Sequence, residues 1–162
     1  MKNHHYFLLL GGNQGNETII FDKARRMIEK QLGEIVNTSS LYKSPAWGFE
    51  SNDFINQAIE VVCQTNPIIA MQQILLIEQD LGRKRTNHGY TSRSIDIDIL
   101  LVDELVINEN SLIVPHPRLT ERRFALTPLH EIAGNQIHPL LKQNIKTLLN
   151  RCPDHSEVEK LS

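Results

Sequence analysis

The sequence predicts an α+β domain of the ferredoxin-like kind, an antiparallel sheet with helices packed on it. Two observations carry this expectation. Apolar runs of strand length and runs of helical period follow one another as strand, helix, strand, strand, helix, strand. Capping and stop residues also stand where those elements need them, with Asn66 and Pro67 opening one helical run and Gly33 and Gly82 closing two.

"YFLLLGG", Tyr6 to Gly12, reads as a buried strand that runs into a glycine-rich turn. In the following "NQGNETIIFDKARRMIEKQLG", Asn16 suits an N-cap and Glu17 the positive end of the helix dipole. Ile20, Ala24, Met27 and Ile28 repeat there at helical spacing. "EIVNTSSLYKS" reads as a second strand and "FINQAIEVVCQT" as a third, with Phe54, Asn56, Ala58 and Glu60 sharing a face. "PAWGFESND" is the loop between them. "NPIIAMQQILLIEQDLG" is a helix capped by Asn66, with Pro67 in its first position. A polar, basic loop, "RKRTNHGYTSR", leads into "RSIDIDILL", Arg93 to Leu101, whose aliphatic residues read as a fourth strand. The rest is a short strand or hairpin in "ELVINENSLIVPHPRL", a short helix in "LTPLHEIAG", a longer one in "LLKQNIKTLLNRC" and a frayed polar tail, "PDHSEVEKLS". No repeat or linker interrupts the 162 residues, so one domain over 1–162 is expected.

Composition is average, with 40% hydrophobic and 22% charged residues and a formal net charge of −2. That balance gives no support to a general nucleic-acid or membrane-surface binder, which carries a basic excess. Cys63 and Cys152 are far apart, without disulfide or zinc spacing, and Cys63 reads as a small core residue. The apolar run at the N-terminus is too short for a signal peptide or a membrane span, which leaves the cytoplasm as the expected location.

The chemistry concentrates around "DID". Asp96 and Asp98 lie on one face of a strand, roughly 6.5–7 Å apart along the chain. Two carboxylates that close repel each other unless something positive lies between them. They suit Mg²⁺, which keeps waters and takes phosphate oxygens as its other ligands; the alternative is the wet face of an edge strand. Arg83, Lys84, Arg85 and Arg93 flank the loop beside them, and guanidinium forks fit phosphate oxygens. Cations next to a carboxylate pair describe a site for a metal-bound polyphosphate; alone, the loop would read as a solvated charged turn. Glu78, one turn before Gly82, either pairs with those arginines, serves a nucleotide or lies on exposed helix surface. His116 is held between two prolines, followed by Arg122, Arg123 and Phe124. "GGNQGN" lacks the P-loop lysine and the Rossmann spacing, and a turn is the better reading.

Together these segments resemble the 6-hydroxymethyl-7,8-dihydropterin pyrophosphokinase family of folate biosynthesis. "GRKRTNHGYTSRSIDIDILL" is similar to the family's G-R-x-R…W-x-x-R-x-[IL]-D-[IL]-D signature. "LLLGGNQGN", "SSLYKSPAWG", "DFINQAIEV", "VPHPRLTERRF" and "LTPLHEIAG" match in order, from Leu8 to about Gly134. The resemblance implies transfer of an intact diphosphoryl group from ATP to the hydroxymethyl of the reduced pterin, with AMP released and two Mg²⁺ ions used. Asp96 and Asp98 would hold the metals. Arg83 and Arg93 would act on the phosphates from a mobile loop that Arg85 helps to close. His116 and Arg122 would contact ATP, and Glu78 would lie at the nucleotide site. Asn56 would read the pterin's amide edge between the rings of Phe54 and Phe124, with the backbone of Ser44, Pro45 and Trp47 completing that pocket. No obligate protein partner is implied. The chain departs from the family's usual residues at Gly12 (serine), Tyr90 (tryptophan), Phe54 (often tyrosine), Pro117 (tyrosine in some members) and Trp47 (aliphatic).

Two other classes compete. A ferredoxin-like RNA-binding module would show paired stacking aromatics on its strands, which are lacking here. A catalytically dead small-molecule sensor would have no need of both aspartates and the phosphate-side arginines.

Overall fold

The computed structural model of the chain describes residues 2–45, 53–82, 84–85, 91–92 and 95–161, with backbone alone at 84–85 and 91–92. Strand β1 (His4–Gly12) alternates between two cores: Tyr6, Leu8 and Leu10 enter one, Phe7 and Leu9 the other. Helix α1 (Glu17–Gln31) packs Ile20, Phe21, Ala24 and Ile28 into the first. Asn16 does occupy its N-cap position, but its side chain makes no cap bond. The Glu17 carboxylate takes the entering N–H groups instead, from Gln14 at 2.8 Å and Gly15 at 3.0 Å.

The expected second strand is broken into β2 (Glu34–Thr38) and β3 (Tyr42–Ser44). Both pair antiparallel with β4 (Phe54–Cys63), Thr38 opposite Ile59 and Tyr42 opposite Asn56. Ser39, Ser40 and Leu41 therefore stand against only Gln57 and Ala58, which is a bulge. Ser39 causes it. Its N–H donates to the Ala58 carbonyl at 2.8 Å while its hydroxyl accepts from the Ala58 N–H at 2.9 Å, so one residue occupies both ladder positions.

Helix α2 (Pro67–Asp80) is capped as its sequence predicts, the Asn66 side chain accepting from Ile68 N at 2.9 Å. It buries Ala70, Ile74 and Ile77 in the first core and stops at Gly82, whose φ of +116° favours glycine. The basic loop is not wholly irregular: β5 (Lys84–Arg85) pairs with β6 (Thr91–Ser92). Strand β7 (Asp96–Val102) lies antiparallel to β1, and β8 (Ile107–Glu109) with β9 (Leu112–Val114) forms the expected hairpin.

After a 3-10 turn at Leu119–Glu121, helix α3 (Arg123–Ala133) begins earlier than "LTPLHEIAG" suggests and runs through Pro128. Helix α4 (Ile145–Asn150) is shorter than expected, because Lys142 has φ +58° and the Asn144 side chain caps the helix by accepting from Thr147 N at 2.8 Å. The tail is not frayed. It ends in β10 (Glu159–Lys160), paired with β3.

The sheet runs β10–β3–β4–β1–β7, with β2 also on β4 and all pairings antiparallel, which is the ferredoxin-like α+β arrangement with a short edge strand added. Helices cover both faces. α1 and α2 close the first core, while α3 and α4 close the second through Ala125, Leu126, Leu129, Ile145 and Leu148. Cys63 packs in the first core, as its sequence context predicts, and Cys152 in the second. Glu131 pins α3 to the broken strand, accepting from Tyr42 Oη at 2.6 Å and Ser40 N at 2.9 Å. Burial alone would lift its carboxyl, but these bonds outweigh it and hold the group below the ordinary carboxylate range. Among the described residues no helix is long and apolar enough to cross a membrane.

Ser39→Ala leaves the buried Ala58 N–H without its side-chain acceptor and should cost about 1–3 kcal/mol of unfolding free energy in urea titration. A variant as stable as the wild type would show that the bulge does not depend on this hydroxyl.

Candidate active site

Above the end of the sheet nearest α3 lies a cleft of about 970 Å³. Strand register builds its floor. Gly11, on the interior strand β1, pairs with Asn56 on one side and Asp96 on the other, and Leu9 pairs with Asp98. Residues 95, 97 and 99 point into the first core, so Asp96 and Asp98 face the cleft, as strand alternation predicts. Both carboxylates are half-buried.

Gly11 keeps this floor open. A Cβ there would stand 2.6 Å from Asn56 Nδ2, closer than side-chain contacts allow. The Asn56 amide lies in that gap, donating a 3.4 Å hydrogen bond to the Leu10 carbonyl. Its Oδ1 is buried and has no hydrogen-bond partner among the described residues. An acceptor left open on a buried, 5% exposed residue is costly unless a ligand N–H completes it.

Phe54 and Phe124 both line the cleft, with Ser44 and Pro45 beside them. The Arg122 guanidinium stands over Phe124, 5.5 Å from the ring centroid. Arg118, Glu121 and the tail residues Pro153 to Ser156 also line it, and sequence reasoning missed all of these. Arg118 lay in plain view within "VPHPRL". No sequence signal places the tail there, because its position comes from a distant strand pairing.

A second cavity of about 250 Å³ adjoins Asp98 and is lined by Met71, Ile97, Leu112, Ile113 and His116 among others. The His116 backbone N–H donates to the Leu100 carbonyl at 2.9 Å, and its Nδ1 accepts from Arg118 N at 3.2 Å. The accepting Nδ1 puts the neutral ring's proton on Nε2. Burial pushes the imidazole below its usual range, Asp98 opposes that shift, and Arg122 and Arg118 reinforce it. His116, Asp98 and Arg122 are thereby brought into one electrostatic neighbourhood.

Glu78 is not exposed helix surface. It is 6% exposed and accepts from the Ile97 N–H at 2.7 Å, on β7 between the two aspartates. It lines neither cavity. Its visible work is to hold the strand that presents Asp96 and Asp98. Arg83, Arg93 and Trp47 lie outside the described residues, as does the side chain of Arg85.

Among the described residues no cluster of three or more His, Cys, Asp or Glu could enclose a metal by itself. Two hard carboxylates in an open cleft do fit Mg²⁺, which needs one or two from the protein when phosphates and waters supply the rest.

Residues 7–134 match the family model described as 7,8-dihydro-6-hydroxymethylpterin-pyrophosphokinase. The chain is 38% identical over 141 residues to the 2-amino-4-hydroxy-6-hydroxymethyldihydropteridine pyrophosphokinase of Aquifex aeolicus, covering 86% of this chain and 87% of that protein. It is 35% identical over 158 residues to the folic acid synthesis protein fol1 of Pneumocystis carinii, covering 96% of this chain but spanning only 21% of that longer relative. The fold also matches Plasmodium falciparum HPPK-DHPS with pteroate, at a TM-score of 0.75 and 17% identity, over 93% of this chain and 44% of that one.

His116 should titrate below its ordinary 6.5 in ¹⁵N NMR and show the Nε2–H tautomer at pH 7. A ring that takes up protons less readily folded than unfolded makes the protein lose stability as pH falls below about 6.5. A midpoint above 6.5 would mean that Asp98, not burial, governs the ring.

Proposed function

The chain belongs to the 7,8-dihydro-6-hydroxymethylpterin-pyrophosphokinase family, and we propose that its cleft transfers diphosphate from ATP to 6-hydroxymethyl-7,8-dihydropterin, giving AMP and the pterin diphosphate, in folate biosynthesis. The observation that carries this reading is the row Asn56–Gly11–Asp96 across three strands. It sets a buried amide acceptor across Gly11 from a carboxylate, with no side chain on residue 11 between them. A flat pterin lying over Gly11 would give an N–H to Asn56 Oδ1, take the faces of Phe54 and Phe124, and direct its hydroxymethyl toward Asp96. Ser44, Pro45 and Trp47 would complete the pterin side.

On the other side, His116 Nε2–H and the Arg122 guanidinium are donors for ATP phosphates, joined by Arg83, Arg85 and Arg93 from the basic loop. Asp96 and Asp98 would hold two Mg²⁺ ions together with ATP. Held there, such ions would supply neutralisation of phosphate charge and a more acidic attacking hydroxyl. Glu78 serves the nucleotide side through the strand it supports. The hydroxymethyl oxygen bonds to the β-phosphorus as the bond from that phosphorus to the α–β bridging oxygen breaks. AMP leaves with the electron pair, and the hydroxyl proton goes to solvent. Alignment of the oxygen with the β-phosphorus is the protein's main contribution.

The reading covers residues 1–162 as one domain that acts on small molecules, without nucleic acid, membrane or an obligate protein partner. Its proposed location is the cytoplasm, where ATP is available and the thiols of Cys63 and Cys152 stay reduced.

Incubated with Mg²⁺, ATP and the reduced pterin, the protein should release AMP only when the pterin is present. ADP as the product would mean an ordinary kinase on this scaffold. Asp98→Ala should lower kcat at least about a thousandfold while pterin binding without nucleotide is kept. Ordinary turnover by that variant would remove the carboxylate pair from the mechanism.

A further inference from the structure

We propose that Asp154 is a positioning residue for the pterin side of the cleft, acting from the C-terminal tail through the first turn of α3. The inference rests on the pyrophosphokinase reading and goes beyond the family match, which ends at residue 134.

Helix α3 opens without a cap of its own, since Arg122 in the N-cap position makes no side-chain cap bond. The open N–H groups of a helix start need an acceptor, and a negative charge there also meets the positive end of the dipole. Asp154 supplies both from another part of the chain. Its Oδ2 accepts from the Arg123 N–H at 3.1 Å, and its main-chain oxygen accepts from Arg123 Nε at 2.9 Å. Its Oδ1 is fixed in turn by Ser156, through N–H at 2.9 Å and Oγ at 2.5 Å. Burial by itself would raise this carboxyl, but the Ser156 and Arg123 hydrogen bonds outweigh it and keep the group ionised at neutral pH.

The residue held this way lies between two that matter. Arg122 and Phe124 flank Arg123, and their guanidinium and ring are paired across one wall of the cleft. The tail cannot drift away, because it is tied at both ends. Cys152 is buried in the second core, and beyond Ser156 the chain joins the sheet as β10, with Leu161 N on the Leu41 carbonyl at 2.8 Å. Pro153 to Ser156 thus form a strap that lines the cleft, with Asp154 bonded to the start of α3.

Steady-state kinetics of the full-length wild type, Asp154→Ala, Asp154→Asn and Ser156→Ala test the proposal, together with dihydropterin titration in the presence of Mg²⁺ and α,β-methylene-ATP. Asp154→Ala should raise the pterin KM and Kd about tenfold, the size expected for losing a charge-assisted hydrogen bond. The ATP KM should rise less, because Arg122 is one of several donors on the phosphate side whereas Phe124 is one of two rings facing the pterin. Asp154→Asn keeps an acceptor oxygen and should recover most of the loss, and Ser156→Ala should shift the pterin KM in the same direction by less. If Asp154→Ala does not fold, Ser156→Ala carries the test, with its smaller rise in the pterin KM. Wild-type pterin binding in Asp154→Ala and Ser156→Ala would overturn the proposal. So would equal rises in both KM values that track a lower Tm, because the tail would then support only the fold. A wild type that makes no pterin-dependent AMP would overturn the function itself, and the two failures are told apart by that control.

Discussion

Residue 11 has no side chain, and the cleft depends on that. Gly11 is on the interior strand β1, paired with Asn56 and Asp96 on its two sides. Any Cβ there would displace the Asn56 amide, 2.6 Å away, and fill the gap between a hydrogen-bond reader and a carboxylate. Strand pairing sets neighbouring backbones roughly 5 Å apart, so a reader, an opening and a charged group follow one another without any loop having to place them. Sites built on paired strands in this way are more rigid than sites built on loops.

The two faces of the sheet divide the labour. On one, Ile95, Ile97 and Ile99 pack with α1 and α2 in a dry core. The other face packs against α3 and α4, and among the described residues Asp96, Asp98, Asn56 and Gly11 come together where it opens into the cleft. Charges on an edge strand would be loosely held were it not for Glu78, whose buried carboxylate takes the Ile97 N–H from the far side. Helix α3 is likewise held at both ends, by Glu131 on the broken strand and by Asp154 at its start. Phe124 and Arg122 owe their place to that second contact.

What the sequence makes legible follows from how local each signal is. The two long helices are legible because apolar spacing, Asn66–Pro67 and Gly82 all act within a turn or two. The aspartates' shared face is legible because strand period needs only neighbouring residues. The break at Ser39 is hidden, since the hydroxyl that causes it answers an N–H on another strand. The short α4 is hidden behind a helical-looking "LLKQNIKTLLN", where one left-handed residue and one asparagine cap decide the start. Gly11 reads as part of a turn in "GGNQGN", because its real function appears only once register is known. The tail looks polar and loose by composition, and only the pairing of β10 with β3 brings it to the cleft.

The most direct test of this account is a crystal structure with the reduced pterin, Mg²⁺ and α,β-methylene-ATP bound together. The pterin ring should lie over Gly11, with an N–H on Asn56 Oδ1 and the hydroxymethyl oxygen between Asp96 and the β-phosphorus. A pterin in the cavity beside His116 and Met71, with the nucleotide lying over Gly11, would contradict it.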